Sequence, residues 1–116
     1  DICHVRLVEQ SEIMTEALES AAIIVGSPTI NNQMFPTISK FLCYLSGLKP
    51  QNKIGAAFGS YGWSGEGVPD VEKVLQNMKL ATPVPNLRIT YYPDEVSYNQ
   101  CDKFGKAIAD AIKDIL

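Results

Sequence analysis

The sequence predicts an α/β domain in which helices cover both faces of a parallel sheet. Two short, continuous apolar runs, residues 22–25 and 54–58, are each followed by glycine. Continuous apolar runs of this length are typical of strands buried on both faces. Segments with the apolar spacing of amphipathic helices separate the runs. Because strands and helices alternate along the chain, we expect a three-layer α/β/α arrangement.

The first predicted strand spans residues 2–8, where apolar and polar residues alternate. Cys3, Val5 and Leu7 fall on one side of it, which indicates a half-exposed strand at a sheet edge. Ser11 then suits the N-cap of a short helix. The apolar face of that helix is predicted to contain Ile13, Met14, Ala17 and Leu18.

Three further helices and a fourth strand, residues 87–92, complete the predicted order β-α-β-α-β-α-β-α. Ser97 with Gln100 fits a capping box at the start of the last helix. The three helices are predicted from apolar residues spaced three and four apart: Met34, Ile38, Phe41, Leu42 and Leu45; then Val68, Val71, Leu75 and Met78; then Cys101, Phe104, Ile108, Ile112 and Ile115. We expect one domain over residues 1–116.

Composition excludes several classes of function. The chain has 116 residues, 10 basic and 13 acidic, with no basic stripe, which argues against a nucleic-acid partner. It has no apolar stretch near the roughly 20 residues that a membrane-spanning helix needs. Its three cysteines form no C-x-x-C pair, so we expect reduced thiols and a cytoplasmic location. One histidine and distant cysteines give no metal-ligand spacing.

Two loops follow the buried strands, and ligands of open α/β sheets bind at the carboxyl ends of strands. The first, residues 26–32, offers two hydroxyls, two amides and backbone N–H groups at a helix entrance. A turn with an N-cap is the simpler interpretation of its composition. The second, residues 59–67, holds four glycines, a tyrosine and the single tryptophan. Its aromatic rings suit stacking on a planar ligand, or folding back onto their own helix.

Common catalytic motifs are absent. The segment GWSG at residues 62–65 breaks the G-x-S-x-G spacing of a nucleophile elbow, and the only histidine, His4, precedes it. The chain contains neither G-x-G-x-x-G nor a P-loop. We therefore expect no catalytic residue and no metal ligand in this chain.

The two loops together resemble those of one family. GSPTINN at residues 26–32, GLKP at 47–50, GAAFGSYGWSG at 55–65 and YPD at 92–94 are similar to the flavodoxin-like domain of flavodiiron proteins, also called A-type flavoproteins. The resemblance covers nearly the whole chain, and the SYGWSG run is its most specific part.

The resemblance implies FMN as the cofactor. Tyr61 and Trp63 would stack on or shield the flavin ring, and Gly62 and Gly65 would permit close approach. A carboxylate such as Glu66 near the ring would lower its potential. Ser27, Thr29 and Asn31 would hydrogen-bond the flavin edge or ribityl chain. The implied cofactor-binding residues are Ser27, Pro28, Thr29, Ile30, Asn31, Asn32, Ser60, Tyr61, Gly62, Trp63, Ser64 and Gly65.

The resemblance also implies partners. Such a domain receives electrons from a rubredoxin-type or flavin reductase donor and passes them to a diiron centre that reduces dioxygen or nitric oxide. That centre lies in a β-lactamase-like domain, normally of another subunit in a homo-oligomer. Because no histidine–carboxylate cluster for the irons exists here, we do not expect this chain to complete the reaction alone.

The implied flavodoxin-like sheet has the strand order 2-1-3-4-5. Residues 2–8, as an edge strand, match the second strand of that order, so the central first strand, its phosphate-binding loop and first helix are missing. On typical lengths of strands, helices and loops, the missing segment amounts to about 25 residues. Two alternatives remain open: a fragment or assembly module that binds no flavin, and an NAD(P)H-dependent quinone or flavin reductase.

Overall fold

The computed structural model describes residues 2–5, 7–30, 33–63, 65–90 and 94–115. The strands are β1 (Ala22–Gly26), β2 (Thr29–Ile30), β3 (Gln33–Met34), β4 (Ile54–Tyr61) and β5 (Leu87–Thr90), and the helices are α1 (Gln10–Glu19), α2 (Pro36–Gly47), α3 (Gly67–Asn77) and α4 (Glu95–Ile115).

The main sheet consists of β1, β4 and β5 in the order β1-β4-β5, and both pairings are parallel. Gly26 at the end of β1 is in register with Phe58, and Phe58 with Leu87. Because the strands are parallel, their carboxyl ends lie at the same edge of the sheet. The segments that follow β1 and β4 are therefore neighbours.

Helices cover both faces of this sheet, which confirms the predicted three-layer arrangement. On one face, Ile23, Val25 and Ala57 pack in a single cluster with the buried side chains of α1, α2 and α3. On the other face, Ala56 packs with Ile108 of α4. Side chains of neighbouring residues point to opposite faces of a strand, so the apolar runs serve both clusters.

The predicted strand at residues 2–8 is wrong. The described residues of this segment form no strand, and its backbone turns so that the N–H groups of Leu7 and Val8 both donate to the His4 carbonyl. Cys3, Val5 and Val8 pack, partly buried, against the cluster on the α1 side. Leu7, the third residue of the predicted apolar side, is 82% exposed, so the alternation does not mark a buried side, and no strand in the described chain lies beside the segment to pair with it.

Two smaller boundaries differ from prediction. Met34 belongs to β3, which pairs antiparallel with β2, and not to the second helix. The Oδ1 atom of Asp94 accepts a hydrogen bond from the Ser97 N–H at 2.8 Å, so Asp94 takes the cap position that was predicted for Ser97. The last strand ends at Thr90 within the described residues. Residues 91–93 lie outside them.

The two outer edges of the main sheet, along β1 and along β5, have no neighbouring strand in the described chain. β1 pairs only with β4, and the side chains of Ile24 and Phe58 are 47% and 42% exposed on the α4 side. A groove of about 170 Å³ separates β1 from Cys3 and Val5. None of the described helices is both long and apolar enough to span a membrane.

Candidate functional site

The candidate site lies at the carboxyl edge of the sheet, where two segments meet. The first loop joins β1 to α2 and comprises the described residues 27–30 and 33–35. The second loop joins β4 to α3 and comprises the described residues 62, 63, 65 and 66. The strands that precede these loops are hydrogen-bonded neighbours, which brings the two loops side by side.

Ser27 anchors the first loop. Its side chain is 2% exposed, and its hydroxyl donates to the Pro28 carbonyl at 2.8 Å while accepting the Phe35 N–H at 2.9 Å. The Ser27 N–H donates to the Phe58 carbonyl at 3.1 Å, which continues the β1–β4 ladder by one residue. The hydroxyl therefore joins the two ends of the loop, and its partners are within the protein.

Thr29 ties the first loop to the start of α3. Its Oγ1 atom accepts the Gly67 N–H at 2.9 Å, which satisfies one of the free N–H groups at that helix terminus. A Cβ on Gly67 would lie 2.8 Å from both the Pro28 carbonyl oxygen and this same Oγ1. Glycine at position 67 thus allows the first loop to rest directly on α3.

Gly59 is a second position where the first loop closely approaches the backbone of the protein. A Cβ at this position would overlap the carbonyl oxygen of Ser27 and would lie 2.8 Å from the Val68 side chain. The first loop, β4 and α3 therefore meet where two glycines supply the space. The four glycines of residues 59–67 were interpreted as allowing close approach of a ligand. At Gly59 and Gly67, the first loop itself makes the close approach.

The second loop carries the most exposed aromatic side chain of the described chain. Trp63 is 95% exposed, and Gly62 beside it is exposed. Tyr61, the last residue of β4, is partly buried, and its ring lies beside Gly65. The two aromatics therefore have different surroundings: Tyr61 is partly buried beside Gly65, and the ring of Trp63 is exposed to solvent.

The predicted site residues thus divide by environment. Pro28, Ile30, Ser60, Gly62 and Trp63 are exposed at this edge. Ser27 and Thr29 use their hydroxyls within the protein. Asn31, Asn32 and Ser64, also predicted, lie outside the described residues.

A cavity of about 300 Å³ opens beside the first loop. Gly26, Pro28 and Phe35 line one side of it, and Cys3, His4 and Val5 line the other. The volume is at the lower end of the roughly 300–1,000 Å³ typical of ligand pockets. The apolar walls and loop backbone of this cavity fit a flat ring that is apolar over its faces and polar along its edge. Trp63 is not part of the cavity wall and is exposed on the second loop. Among the described residues, no cluster of side chains suits a metal ion.

The start of α4 borders the same edge of the sheet. The pKa of Asp94 is lowered, chiefly because its carboxylate accepts the hydrogen bond from the Ser97 backbone N–H. A carboxylate at a helix N-terminus also complements the helix dipole. Asp94 is fully exposed, so water screens this interaction.

Two features of the site were not predicted from the sequence. One is the Thr29–Gly67 link, for which the only sequence signal is a glycine at the start of the third helix. The other is Arg88 of β5, whose side chain lies against Gly65 of the second loop. The only sequence signal for a role of Arg88 was its position as a charged residue near the carboxyl end of a predicted strand.

A parallel sheet covered by helices on both faces, with two loops meeting at its carboxyl edge, places the chain in the class of open α/β proteins, which includes the flavodoxin-like domains. Comparison with known proteins identifies the family within this class. Rubredoxin-oxygen oxidoreductase of Megalodesulfovibrio gigas is 40% identical over 111 residues, which cover 96% of this chain and 26% of that protein. The solved structure of rubredoxin oxygen:oxidoreductase from the anaerobe Desulfovibrio gigas superimposes with a TM-score of 0.96 at 37% identity, covering 99% of this chain and 29% of that one.

A flavodoxin from the domain Archaea gives a TM-score of 0.82 at 36% identity, covering 94% of this chain and 74% of that one. No family model matches the sequence. The chain belongs to the flavodoxin family and, within it, to the flavodoxin-like domains of flavodiiron proteins, which confirms the resemblance. It spans about a quarter of the length of the rubredoxin-oxygen oxidoreductase that it matches.

Proposed function

We propose that this chain is an FMN-binding electron-transfer domain of a flavodiiron-type oxidoreductase. The observation that carries the proposal is the juxtaposition of the first and second loops at the carboxyl edge of the sheet, in a chain 40% identical to a rubredoxin-oxygen oxidoreductase. Bound FMN supplies the electron-carrying group, and the protein supplies binding and orientation.

The predicted cofactor-binding residues have different roles in this proposal. Trp63 stacks on the flavin ring, and Tyr61 supports the loop that carries it. Pro28 and Ile30 offer apolar contact, and the backbone of the first loop, with Asn31 and Asn32, bonds the polar edge or ribityl chain. Ser27 and Thr29 act by fixing that backbone. Ser60, Gly62, Ser64 and Gly65 complete the predicted cofactor-binding set.

The proposed electron path leads out of this chain. The acceptor is a diiron centre in a β-lactamase-like domain, contributed by another subunit of a homo-oligomer. The donor is a rubredoxin-type protein or a flavin reductase, and the compartment is the cytoplasm. The described residues contain no metal-binding cluster of their own, so the final acceptor, dioxygen or nitric oxide, is set outside them.

Equilibrium dialysis with FMN, followed by photoreduction of the loaded chain, tests this proposal. We expect one FMN per chain, with a midpoint potential shifted from that of free FMN because the protein environment tunes the ring. A chain that retains no FMN at millimolar concentration would contradict the proposal.

The open edge of β1 favours a second candidate, an assembly module that binds no flavin. Unpaired strand edges readily pair with other chains, and Ile24 and Phe58 extend the exposed apolar surface beside this edge. Sedimentation equilibrium without cofactor distinguishes the two. A stable oligomer that takes up no FMN would favour the assembly module.

A further inference from the structure

Arg88 lies beside the second loop because of the register of the sheet. It is in register with Gly59, and Tyr61 is in register with Thr90. Residues in register on neighbouring strands project to the same face, as do residues two apart on one strand. The side chains of Arg88 and Tyr61 therefore share the face on which Gly59 contacts Val68 of α3.

The stem of Arg88 contacts the second loop at Gly65. A Cβ on Gly65 would lie 3.2 Å from a guanidinium nitrogen of Arg88, and 3.3 Å from both its Cδ atom and Cδ1 of Tyr61. The arginine side chain and the tyrosine ring thus both lie against one glycine of the loop. This contact joins the loop to β5, a strand to which it is not connected in sequence.

The guanidinium of Arg88 shares a cavity with an unsatisfied carboxylate. A space of about 210 Å³ is lined by Gly65, Glu66, Pro69, Asp70 and Arg88. The Oε2 atom of Glu66 is buried and has no hydrogen-bond partner among the described residues. A buried charged oxygen without a partner is costly, and Arg88 is the cation that lines this cavity.

We propose that Arg88 is a positioning residue that holds the second loop in its ligand-binding shape. Its stem packs on Gly65 beside the Tyr61 ring, and its guanidinium pairs with Glu66 when FMN is bound. Arg88 acts on the flavin through the loop that carries Trp63, and not by contact. The ion pair between Arg88 and Glu66 rests on the FMN-binding function proposed above. The packing of the Arg88 stem on the second loop does not depend on that function.

The first test needs no ligand. The only tryptophan, Trp63, lies in the second loop, so its time-resolved anisotropy reports the order of that loop. We expect Arg88→Ala to increase the amplitude of fast indole motion, and Arg88→Met, which keeps the stem, to leave it near the wild-type value. Lys106→Ala, an exposed position on α4, is the control. Wild-type indole motion in Arg88→Ala would overturn the positioning role.

The second test is a double-mutant cycle on FMN affinity with Arg88→Met, Glu66→Gln and the combined variant. We expect each single change to weaken binding about tenfold, as for a lost charged hydrogen bond, and the double variant to be no weaker than either. Losses that multiply in the double variant would overturn the ion pair. If the wild-type chain takes up no FMN, the proposed function and the ion pair fail, while the anisotropy result still decides the packing role.

Discussion

The two loops at the carboxyl edge differ in how their side chains are used. The first loop turns its hydroxyls inward: Ser27 is 2% exposed, and both Ser27 and Thr29 bond to the protein backbone. The second loop turns its largest side chain outward, with Trp63 95% exposed. The first loop is thus a platform held to the protein by its hydroxyls, and the second loop exposes its indole. Polar residues at a binding edge therefore need not be ligand contacts.

The largest expected effect comes from breaking the platform where the loops meet. Gly59→Ala forces a Cβ into the Ser27 carbonyl oxygen, and we expect a loss of about 3 kcal/mol in unfolding free energy, as for other overpacked sites. Urea denaturation measures it. Gly105→Ala is the matched control, because no atom lies within 4 Å of the added Cβ in α4. The control should gain about 0.5–1 kcal/mol from helix propensity. Equal stability of the two variants would contradict the close approach.

The next effect tests the internal role of the first-loop hydroxyl. Ser27→Ala leaves the Phe35 N–H without its acceptor, and we expect a loss of about 2 kcal/mol in unfolding free energy. Ser39→Ala removes an exposed hydroxyl from α2 and should change stability by less than about 0.5 kcal/mol. If Ser27→Ala weakened FMN binding with stability intact, Ser27 would be a direct ligand contact and the contrast between the loops would be wrong.

Trp63→Ala should weaken FMN binding without lowering stability, the reverse of what we expect for Ser27→Ala. Because the indole is exposed, we expect the unfolding free energy to change by less than about 0.5 kcal/mol. FMN affinity should fall about tenfold with the loss of ring stacking. Calorimetric titration with FMN gives the affinity, and Tyr98→Ala, an exposed aromatic on α4, is the control. A large loss of stability in Trp63→Ala would show that the indole packs on the protein.

The smallest effect lies outside both loops, at the start of α4. The pKa of Asp94 is lowered in the folded chain by the hydrogen bond from Ser97. A lowered pKa contributes stability that is complete above the unfolded pKa and is lost as the pH falls through the folded one. We therefore expect slightly weaker acid dependence of stability below pH 4 in Asp94→Asn than in wild type, measured by urea denaturation across pH. Asn99→Ala, an exposed position of α4 that does not titrate, should retain the wild-type profile.

Periodicity was sufficient to predict most of the elements. The apolar runs reappear as β1 and β4, with Ile24 and Phe58 exposed on the α4 side, and the spacing of Val68, Val71 and Leu75 reappears as the buried face of α3. The short pair β2–β3 was not predicted, because strands of two residues contain no full repeat. Residues 2–8 show that alternation alone does not make a strand, since a strand also requires a partner for its backbone.

The candidate site was predictable as two loops but not as a set of contacts. The motif at residues 26–32 and the SYGWSG run lie on loops that the structure brings together at the carboxyl edge of the sheet, and the binding role of this edge stays a prediction. The bonds of Ser27 to Phe35 and of Thr29 to Gly67 depend on distances between segments that no local pattern records. Arg88 likewise reaches Gly65 only through the register of β5 with β4.

The central claim, that the second loop presents Trp63 to a flavin, is tested most directly by one titration. FMN is added to the wild-type chain while flavin emission and Trp63 emission are recorded together. We predict that both signals are quenched in parallel and that both saturate at one FMN per chain. Unchanged Trp63 emission while flavin emission is quenched would place the flavin elsewhere and contradict the account.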